Sequence, residues 1–433
     1  MTSGQVVVLL LDLAIILVLS HSLGAVATLL GQPAVIGEII AGVLVGPTLF
    51  GGAIANSLFP ADVRPLLSAL ANVGLALFMF IVGLDLDQSL VRGKGKATVT
   101  VAVTSTLLPF GLGVVLALHL VSRHPSSNHL GFALFIGAAM SVTAFPVLAR
   151  ILTDRGMNHT RLGVLAMGSA AIADIFAWSL LAVVVMLVGK NGQQYWRILL
   201  VVPFFALMFL VVRPLLLRLA DARKRVSGVA RGPLAIVLAG VLVSAALTEW
   251  IGLHFIFGAF LFGFLMPRGD VGDLRGAIRN RVEHVSALLL LPVYFVIAGL
   301  QVDLSRASRA DFGELGLIMA VAIAGKFVGT FIGAWLHGVE TRQMTALATL
   351  MNTRGLTELV IVTVGLQLGV VDHGLYSQMV VMAVVTTAMT GILLQLIYPR
   401  RLVQRDVEQE FSVGAVHGKS PKIALQREPR RER

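Results

Sequence analysis

Apolar stretches long enough to cross a lipid bilayer recur along almost the whole chain, and this repetition limits the folds available to it. Crossing the hydrocarbon core takes about 20 apolar residues per helix, and in lipid only helices or closed barrels satisfy the backbone hydrogen bonds. The stretches are continuously apolar rather than alternating in polarity, which indicates helices. Since 57% of the residues are hydrophobic and 13% are charged, the sequence predicts an all-α, polytopic membrane protein.

The apolar stretches predict about thirteen transmembrane helices within residues 1–397, which we interpret as one transmembrane domain. The predicted spans lie near residues 5–20, 34–50, 66–84, 97–119, 130–150, 163–188, 197–217, 232–247, 251–266, 285–301, 314–336, 344–366 and 376–397. Residues 398–433 are basic and polar, which predicts a solvated, disordered tail. Thirty-six residues after position 397 are too few for a folded domain, so we expect no fused nucleotide-binding domain.

The distribution of basic residues predicts the orientation of these spans. Loops and ends on the side of the C-terminus carry 25 Lys and Arg residues, whereas the opposite side carries six. Because basic residues accumulate in cytoplasmic loops, we expect the N-terminus outside, the C-terminus in the cytoplasm, and a location in a plasma or inner membrane. The same asymmetry accounts for the net charge of +11 without nucleic acid as a partner.

The residue types that support most enzyme chemistry are missing or lack the required context. The chain has no cysteine, which excludes disulfides and thiolate sites. Its glycine-rich runs precede no Lys-Ser/Thr pair and follow no strand, so they predict helix contacts rather than phosphate binding. We therefore expect neither an enzyme nor a bound cofactor.

Four ionisable residues lie deep inside predicted spans, where a charge costs several kcal/mol and usually marks a functional site. These residues are Asp174, Lys326, Arg354 and Glu358. Asp174 lies among twenty uncharged neighbours in "MGSAAIADIFAWSLLAVVVML". Arg354 and Glu358 are four residues apart, a spacing that predicts a salt bridge within one helix.

Two predicted spans contain a polar or proline interruption near the middle. The fifth span has Ser141, Thr143 and Pro146 in "GAAMSVTAFPVLARIL". The twelfth has Asn352 and Thr353 in "LATLMNTRGLTELVIV". Pro146 removes a backbone donor and frees a carbonyl about four residues earlier. Interrupted helices in matching positions of two inverted repeats predict an ion or substrate site at the bilayer midplane. Spans four to six and eleven to thirteen are the matching triplets.

Five stretches, in order along the chain, resemble the monovalent cation/proton antiporters of the Kef-type and plant cation/proton exchanger branch. They are "GQPAVIGEIIAGVLVGPTLFG" (31–51), "ANVGLALFMFIVGLDLD" (71–87), "SVTAFPVLARIL" (141–152), "LLLPVYFVIAGLQVDL" (289–304) and "MNTRGLTELVIVTVGLQLGVV" (351–371). The resemblance implies the sodium/proton antiporter fold, with two crossing interrupted helices. It also implies a core of triplets, about 97–188 and 314–397, that moves against a dimerisation scaffold in a homodimer.

The resemblance also assigns the ion-binding role to Asp174, the second member of a family signature pair whose first member is here Ala173. Lys326 matches a family lysine that pairs with an acidic first member. Because that partner is missing, Lys326 must face Asp174, bind backbone oxygens or be deprotonated. With one carboxylate instead of two, we expect one cation to exchange for one proton, which is electroneutral.

The expected activity is exchange of sodium or potassium for protons at a site where Asp174 is the metal ligand. The Thr143 hydroxyl, Ser141 and the carbonyls freed near Pro146 are further candidate oxygen ligands. Lys326, Arg354, Glu358, Asn352 and Thr353 are expected to support them. The alternatives are a cation channel or a non-transporting sensor on the same scaffold, and a transporter of organic anions.

Overall fold

In this computed structural model the described residues are 2–85, 95–124, 126, 128–157, 160–188, 199–223, 231–267, 272–305, 307–399 and 401–405. Most of the predicted tail, residues 406–433, lies outside them. Every regular element in these ranges is helical. The helices are α1 (Ser3–Leu29), α2 (Ala34–Val45), α3 (Ala53–Leu58), α4 (Arg64–Asp85), α5 (Lys96–Leu120), α6 (His129–Ser141), α7 (Phe145–Asp154), α8 (Arg161–Val188), α9 (Val201–Leu207), α10 (Arg213–Arg223), α11 (Arg231–Ile251), α12 (Phe255–Leu265), α13 (Gly272–Val285), α14 (Leu291–Leu300), α15 (Arg309–Trp335), α16 (Thr341–Met351), α17 (Leu356–Gln367) and α18 (His373–Ile397).

The predicted all-α membrane class is confirmed by the length and composition of these helices. Within the described ranges, nine helices are long and apolar enough to cross a membrane, and shorter apolar helices accompany them. The predicted number of thirteen spans stays a prediction. Two of the long spans are joined pieces, because α9 continues into α10, and α13 into α14, through π-helical turns at Met208–Val212 and Ser286–Leu290.

Polar side chains cap the N-termini of several helices. Thr2 and Gln5 form a capping box at the start of α1, and Ser308 and Asp311 form one at the start of α15. Asp372 caps α18 by accepting a hydrogen bond from the backbone N–H of Leu375. Each cap satisfies a backbone donor that a helix N-terminus leaves unpaired.

Both predicted interruptions are present as breaks between two half-helices. The first break is residues 142–144, between α6 and α7. The second is residues 352–355, between α16 and α17. Two details of the prediction were wrong. Pro146 does not break a helix but lies in the first turn of α7, where its missing N–H would be unpaired in any case. Arg354 lies in the break before α17, so its pair with Glu358 joins the break to the first turn of α17 and does not lie within one helix.

The extensive helix contacts fall within two sets, and helices of different sets contact one another sparsely in the described structure. The first set, here called the crossing set, is α5–α8 and α15–α18. The second, here called the scaffold set, is α1–α4 and α9–α14. Within the crossing set α5 packs closely on α15, and within the scaffold set α4 packs on α12. At the α4–α12 contact a Cβ on Gly83 would lie 2.1 Å from the Phe260 carbonyl oxygen, so only glycine permits this approach.

Candidate functional site

The two breaks meet at the centre of the crossing set and are joined by hydrogen bonds. The backbone N–H of Ala144 donates to the Thr353 carbonyl at 3.0 Å. The Thr143 hydroxyl donates to the Met351 carbonyl, also at 3.0 Å. These bonds replace the helical hydrogen bonds that each broken backbone lacks, so each break satisfies polar groups of the other. We call this region the crossing.

Gly355 allows the second break to turn sharply beside the first. Its φ is +156°, a backbone conformation that residues with a side chain rarely adopt. A Cβ there would lie 3.0 Å from Cγ2 of Val147 in α7. A larger residue at position 355 would therefore push the two half-helices apart.

Lys326, from the middle of α15, binds the first break. Its Nζ donates to the Ser141 carbonyl at 2.5 Å, to the Thr143 hydroxyl at 2.7 Å and to the Ser105 carbonyl at 3.1 Å. The side chain is fully buried, and three acceptors match the three N–H groups of an ammonium ion. The sequence left open whether Lys326 faces Asp174, binds backbone oxygens or is deprotonated, and the structure shows it bound to two backbone carbonyls.

Arg354 binds the last turn of the same half-helix. Its Nη1 and Nη2 donate to the carbonyls of Ala139, at 3.2 Å, and Met140, at 2.9 Å. Nη1 also lies 2.7 Å from both carboxylate oxygens of Glu358, so the predicted ion pair is present. The carbonyl end of a helix carries partial negative charge and unpaired acceptors. The two buried cations therefore stabilise the C-terminus of α6.

Asp174 lies in α8, and its side chain is close to the N-terminus of α7. Its side chain is fully buried, and neither carboxylate oxygen has a hydrogen-bond partner among the described residues. The backbone N–H of Phe145, at the N-terminus of α7, and the charge of Lys326 both act on it. A helix N-terminus favours an anion. Ala173 beside it is also buried and offers no second carboxylate.

The remaining predicted site residues differ in how many polar atoms they leave unpaired. The Ser141 hydroxyl donates to the Ala138 carbonyl at 2.7 Å, and the Thr143 oxygen is shared with Lys326 as described above. In the described structure the Asn352 amide and the Thr353 hydroxyl have no hydrogen-bond partner although both are buried. The side chains of Asp174, Asn352 and Thr353 thus all have unpaired polar atoms at the crossing, and most of these atoms are oxygens. Buried polar atoms normally have hydrogen-bond partners.

A cavity of about 570 Å³ lies between the crossing and scaffold sets. The charged and aromatic residues of its lining include Phe145 and Arg150 of α7, Glu38 of α2, Asp85 at the end of α4 and Arg279 in the middle of α13. Arg150 acts electrostatically on Glu38, and Arg279 pairs with Asp85 at 3.3 Å. Asp174 does not line the cavity, but Phe145 does. Since the backbone N–H of Phe145 acts on Asp174, this residue connects the cavity wall to the carboxylate, and no sequence pattern indicated it.

Hydrogen bonds join the two sets at the other end of these helices. The Tyr376 hydroxyl donates to the Ala298 carbonyl at 2.9 Å, and the backbone N–H of Asp303 donates to the Ser377 hydroxyl at 2.9 Å. These contacts link α18 to α14 and the segment after it. The cavity thus lies at the end of these helices marked by Arg150 and Asp85, here called the open side, and the two hydrogen bonds lie at the end where α18 begins, here called the closed side.

A polar cluster fastens the crossing set at its closed end. His124, which follows α5, has Nε2 2.6 Å from Glu314 of α15 and Nδ1 2.6 Å from Asp372 before α18. Arg123 also pairs with Glu314, at 2.9 Å. Partial burial opposes the charged form of His124, but the hydrogen bonds to Asp372 and Glu314 outweigh it and raise its pKa above 6.5. Partial burial likewise opposes the charged form of Asp372, yet its hydrogen bonds, first that from His124, lower its pKa.

Comparison with known proteins connects this arrangement to ion transport. A family model described as "Sodium/hydrogen exchanger, transmembrane" matches residues 15–398. The Na(+)/H(+) antiporter NhaS4 of Synechocystis sp. is 37% identical over 408 residues, which cover 92% of this chain and 99% of that protein. The K(+)/H(+) antiporter 1 of Saccharomyces cerevisiae is 33% identical over 413 residues, which cover 92% of this chain but 47% of that protein. This chain thus spans about half the length of the yeast relative.

A solved structure shows the same fold. The sodium proton antiporter MjNhaP1 from Methanocaldococcus jannaschii, determined at pH 8, superimposes with a TM-score of 0.65. The match covers 92% of this chain and 99% of that protein at 16% sequence identity. The likeness confirms the predicted sodium/proton antiporter fold.

Proposed function

Because the chain belongs to the transmembrane sodium/hydrogen exchanger family, we propose that it exchanges a monovalent cation for protons across a membrane, with Asp174 as their shared site. One observation carries this proposal. Asp174 is a fully buried carboxylate with two unpaired oxygens at the crossing of two broken helices. An ionised carboxylate without partners is too costly to bury, so a proton or a cation must neutralise it.

Competition at Asp174 makes the exchange obligatory. A hard monovalent cation needs several oxygen ligands, and Asp174 is its metal ligand. Thr143, Ser141, Asn352 and Thr353 lie in the breaks that could supply others. When Asp174 takes a proton, it no longer offers a charged oxygen, and the cation leaves. The cyanobacterial relative is named for sodium and the yeast relative for potassium, so we propose that the ion is one of these two.

The two helix sets provide the moving parts. We propose that the crossing set, with α7 and α17 at its centre, slides against the scaffold set and carries Asp174 from one side of the membrane to the other. The sparse contact between the sets and the cavity on one side of the crossing support this proposal. Basic loops support a cytoplasmic location for the cavity and the C-terminus, with the N-terminus outside.

The scaffold set would hold two subunits together. We propose a homodimer in the lipid bilayer, because α9, α10 and the π-helical turn between them expose large apolar side chains such as Val202, Leu210 and Leu215. We also propose that the protein acts as a transporter and not as an enzyme, without a resident cofactor or nucleic acid. A channel, a non-transporting sensor and an organic-anion transporter were the alternatives, and membership of an exchanger family does not favour them.

Proteoliposomes with an internal pH-sensitive dye test this function. Adding sodium or potassium outside should dequench the dye for the intact protein, and the more effective cation identifies the substrate. Asp174→Asn should abolish the response, because an amide can neither release a proton nor neutralise a cation. Asp12→Asn is a matched control, since Asp12 is also a buried aspartate but belongs to α1 of the scaffold set. Exchange by Asp174→Asn at the intact rate would refute the assignment.

A further inference from the structure

A second cavity, of about 480 Å³, lies beside the first, at the level where several helices end. Its walls are the turn between α1 and α2, the C-terminal part of α7 and the C-terminal end of α18. The turn belongs to the scaffold set, and α7 and α18 belong to the crossing set. The cavity therefore lies in the seam between the two sets, on the side where the crossing is open.

The charge of this cavity is positive. Arg150 and Arg155 both line it, and none of its described lining residues is acidic. Arg155 donates from Nη2 to the Gly391 carbonyl at 2.8 Å, which holds the guanidinium against the wall. Arg401, which is exposed, lies two positions after the lining residue Pro399. Paired guanidinium groups are the side chains that recognise phosphate most strongly.

Uncharged polar groups complete the lining. Gln32 and Gln395 contribute amides, and Thr28 contributes a hydroxyl group. Oε1 of Gln32 is buried and has no hydrogen-bond partner among the described residues. An amide can present either its oxygen or its NH₂ group to a ligand. The Thr28 hydroxyl already donates to the Ala25 carbonyl, so the groups that can donate to an oxyanion in this space are the two guanidinium groups and the two amides.

Large apolar side chains surround the mouth of the cavity. Leu29 and Leu30 precede the lining residues Gly31 and Gln32, and their exposed fractions are 86% and 73%. Leu396 follows Gln395 and is 73% exposed. A positive, polar space beside exposed leucines at the end of membrane helices fits a lipid with its headgroup inside and its acyl chains outside. Basic pockets between helices on the cytoplasmic side bind anionic headgroups in this way.

We propose that this cavity binds the phosphate group of an anionic phospholipid. Because Arg150 lines both cavities and acts on Glu38 in the first, a phosphate in the second cavity would compete with Glu38 for Arg150. A lipid bound there would also contact both helix sets and resist their sliding. This effect on transport rests on the proposed exchange function, whereas the binding itself does not.

Thermal unfolding of the purified full chain in a neutral detergent tests the binding. Phosphatidylglycerol should raise the unfolding midpoint, phosphatidylcholine should do so much less because its choline ammonium offsets the negative charge of its phosphate, and inorganic phosphate alone should have little effect. Arg155→Gln should weaken the half-maximal effect of phosphatidylglycerol about tenfold, since it removes charged hydrogen bonds. Arg155→Lys should restore part of it, and Arg218→Gln, at an exposed arginine outside the cavity, should bind like the intact protein.

A second pair of variants keeps the test decisive if Arg155→Gln does not fold. Gln395 is exposed, so Gln395→Glu adds a negative charge to the cavity without disturbing packing, and it should also lose the response to phosphatidylglycerol. Gln404→Glu adds the same charge at an exposed position outside the lining and should keep it. An unchanged response in Gln395→Glu or Arg155→Gln overturns the proposal. An equal response to inorganic phosphate overturns a lipid as the source of the phosphate.

The transport assay separates this inference from the proposed function. The exchange rate in phosphatidylcholine vesicles should fall when phosphatidylglycerol is added, because the bound lipid resists sliding of the two helix sets. Gln395→Glu should remove this decrease. If no variant or lipid supports exchange while the unfolding midpoints still respond as expected, the proposed function fails and the lipid site stands.

Discussion

At the scale of single residues, the sequence indicated the charged groups of the site but not their partners. Asp174, Lys326, Arg354 and Glu358 were recognisable because a charge inside an apolar stretch is unusual. The acceptors of Lys326 were not recognisable, because two of them are backbone carbonyls, which every residue has. Phe145 gave no signal either, since one aromatic residue among many apolar ones carries no pattern.

Lys326 stabilises the first break through all three of its hydrogen bonds, so its loss should be felt in folding as well as in transport. Lys326→Met would leave the Ser105 and Ser141 carbonyls buried without donors. Each such acceptor costs about 1–3 kcal/mol, so we expect the free energy of unfolding to fall by about 2–6 kcal/mol. Urea or thermal unfolding in detergent measures this change. A variant as stable as the intact protein would show that these hydrogen bonds are not stabilising.

At the scale of helices, the two interruptions were predictable but their positions were not. Ser141, Thr143 and Pro146 together indicated a break, yet proline is also tolerated in the first turn of a helix, which is where Pro146 lies. The end of α6 depends on Lys326 and Arg354, which arrive from sequence positions about 185 and 215 residues away. Long-range contacts of this kind decide where a helix ends, and local sequence does not reveal them.

The pair of Arg354 and Glu358 joins the second break to the end of α6. Either single variant, Arg354→Met or Glu358→Met, would leave one buried charge without its partner, which typically costs about 3–5 kcal/mol. The double variant removes both charges, so we expect it to be more stable than Glu358→Met. Unfolding midpoints of the four proteins form a double-mutant cycle. Strictly additive losses would contradict a direct interaction between these side chains.

The His124 cluster ties α5, α15 and α18 together outside the membrane, and its protonation should make stability depend on pH. Both ring nitrogens of His124 lie 2.6 Å from carboxylate oxygens, which can only accept hydrogen bonds when ionised. The folded state therefore holds the doubly protonated ring, together with the neighbouring charges of Arg123 and Asp311. The sequence did not predict this cluster, because its members are separated by about 190 and 248 positions.

The direction of this pH dependence follows from the pKa of His124, which is higher in the folded chain than its ordinary 6.5. The added stability is fully present below pH 6.5 and is lost as the pH rises through the folded pKa. We expect the unfolding midpoint of the intact protein to fall over that range relative to His124→Gln, which cannot be charged. His21→Gln, at an exposed histidine in α1, is the control. Parallel curves for His124→Gln and the intact protein would exclude this role.

At the scale of the whole molecule, the sequence predicted the fold through the order of its motifs and the pairing of its interrupted spans. It could not define the seam between the two helix sets, because membrane-spanning helices on either side of a seam have the same apolar composition. Arg150 illustrates the difficulty. In the sequence it is one of several cytoplasmic arginines, whereas in the structure it lines both cavities of the seam.

The balance of buried charges in the crossing set predicts how exchange responds to voltage. Arg354 and Glu358 neutralise each other, and the buried Ala173 adds no second carboxylate beside Asp174. Adding one proton or one monovalent cation to Asp174 then gives the site the same charge. We expect initial exchange rates in potassium-loaded, valinomycin-treated liposomes to be independent of the imposed potential, with sodium as the driving cation. A rate that rises or falls steadily with potential would require another stoichiometry.

The single carboxylate beside Ala173 therefore also determines how steep an ion gradient the protein can maintain. Each movement of the site across the membrane would carry either one proton or one cation of equal charge. At equilibrium the ratio of cation concentrations on the two sides then equals the ratio of proton concentrations. One pH unit across the membrane corresponds to about 1.4 kcal/mol, and it would support about a tenfold cation gradient. A cell using this protein would expel or retain the cation in proportion to its pH difference, and the electrical part of its proton motive force would do no work here.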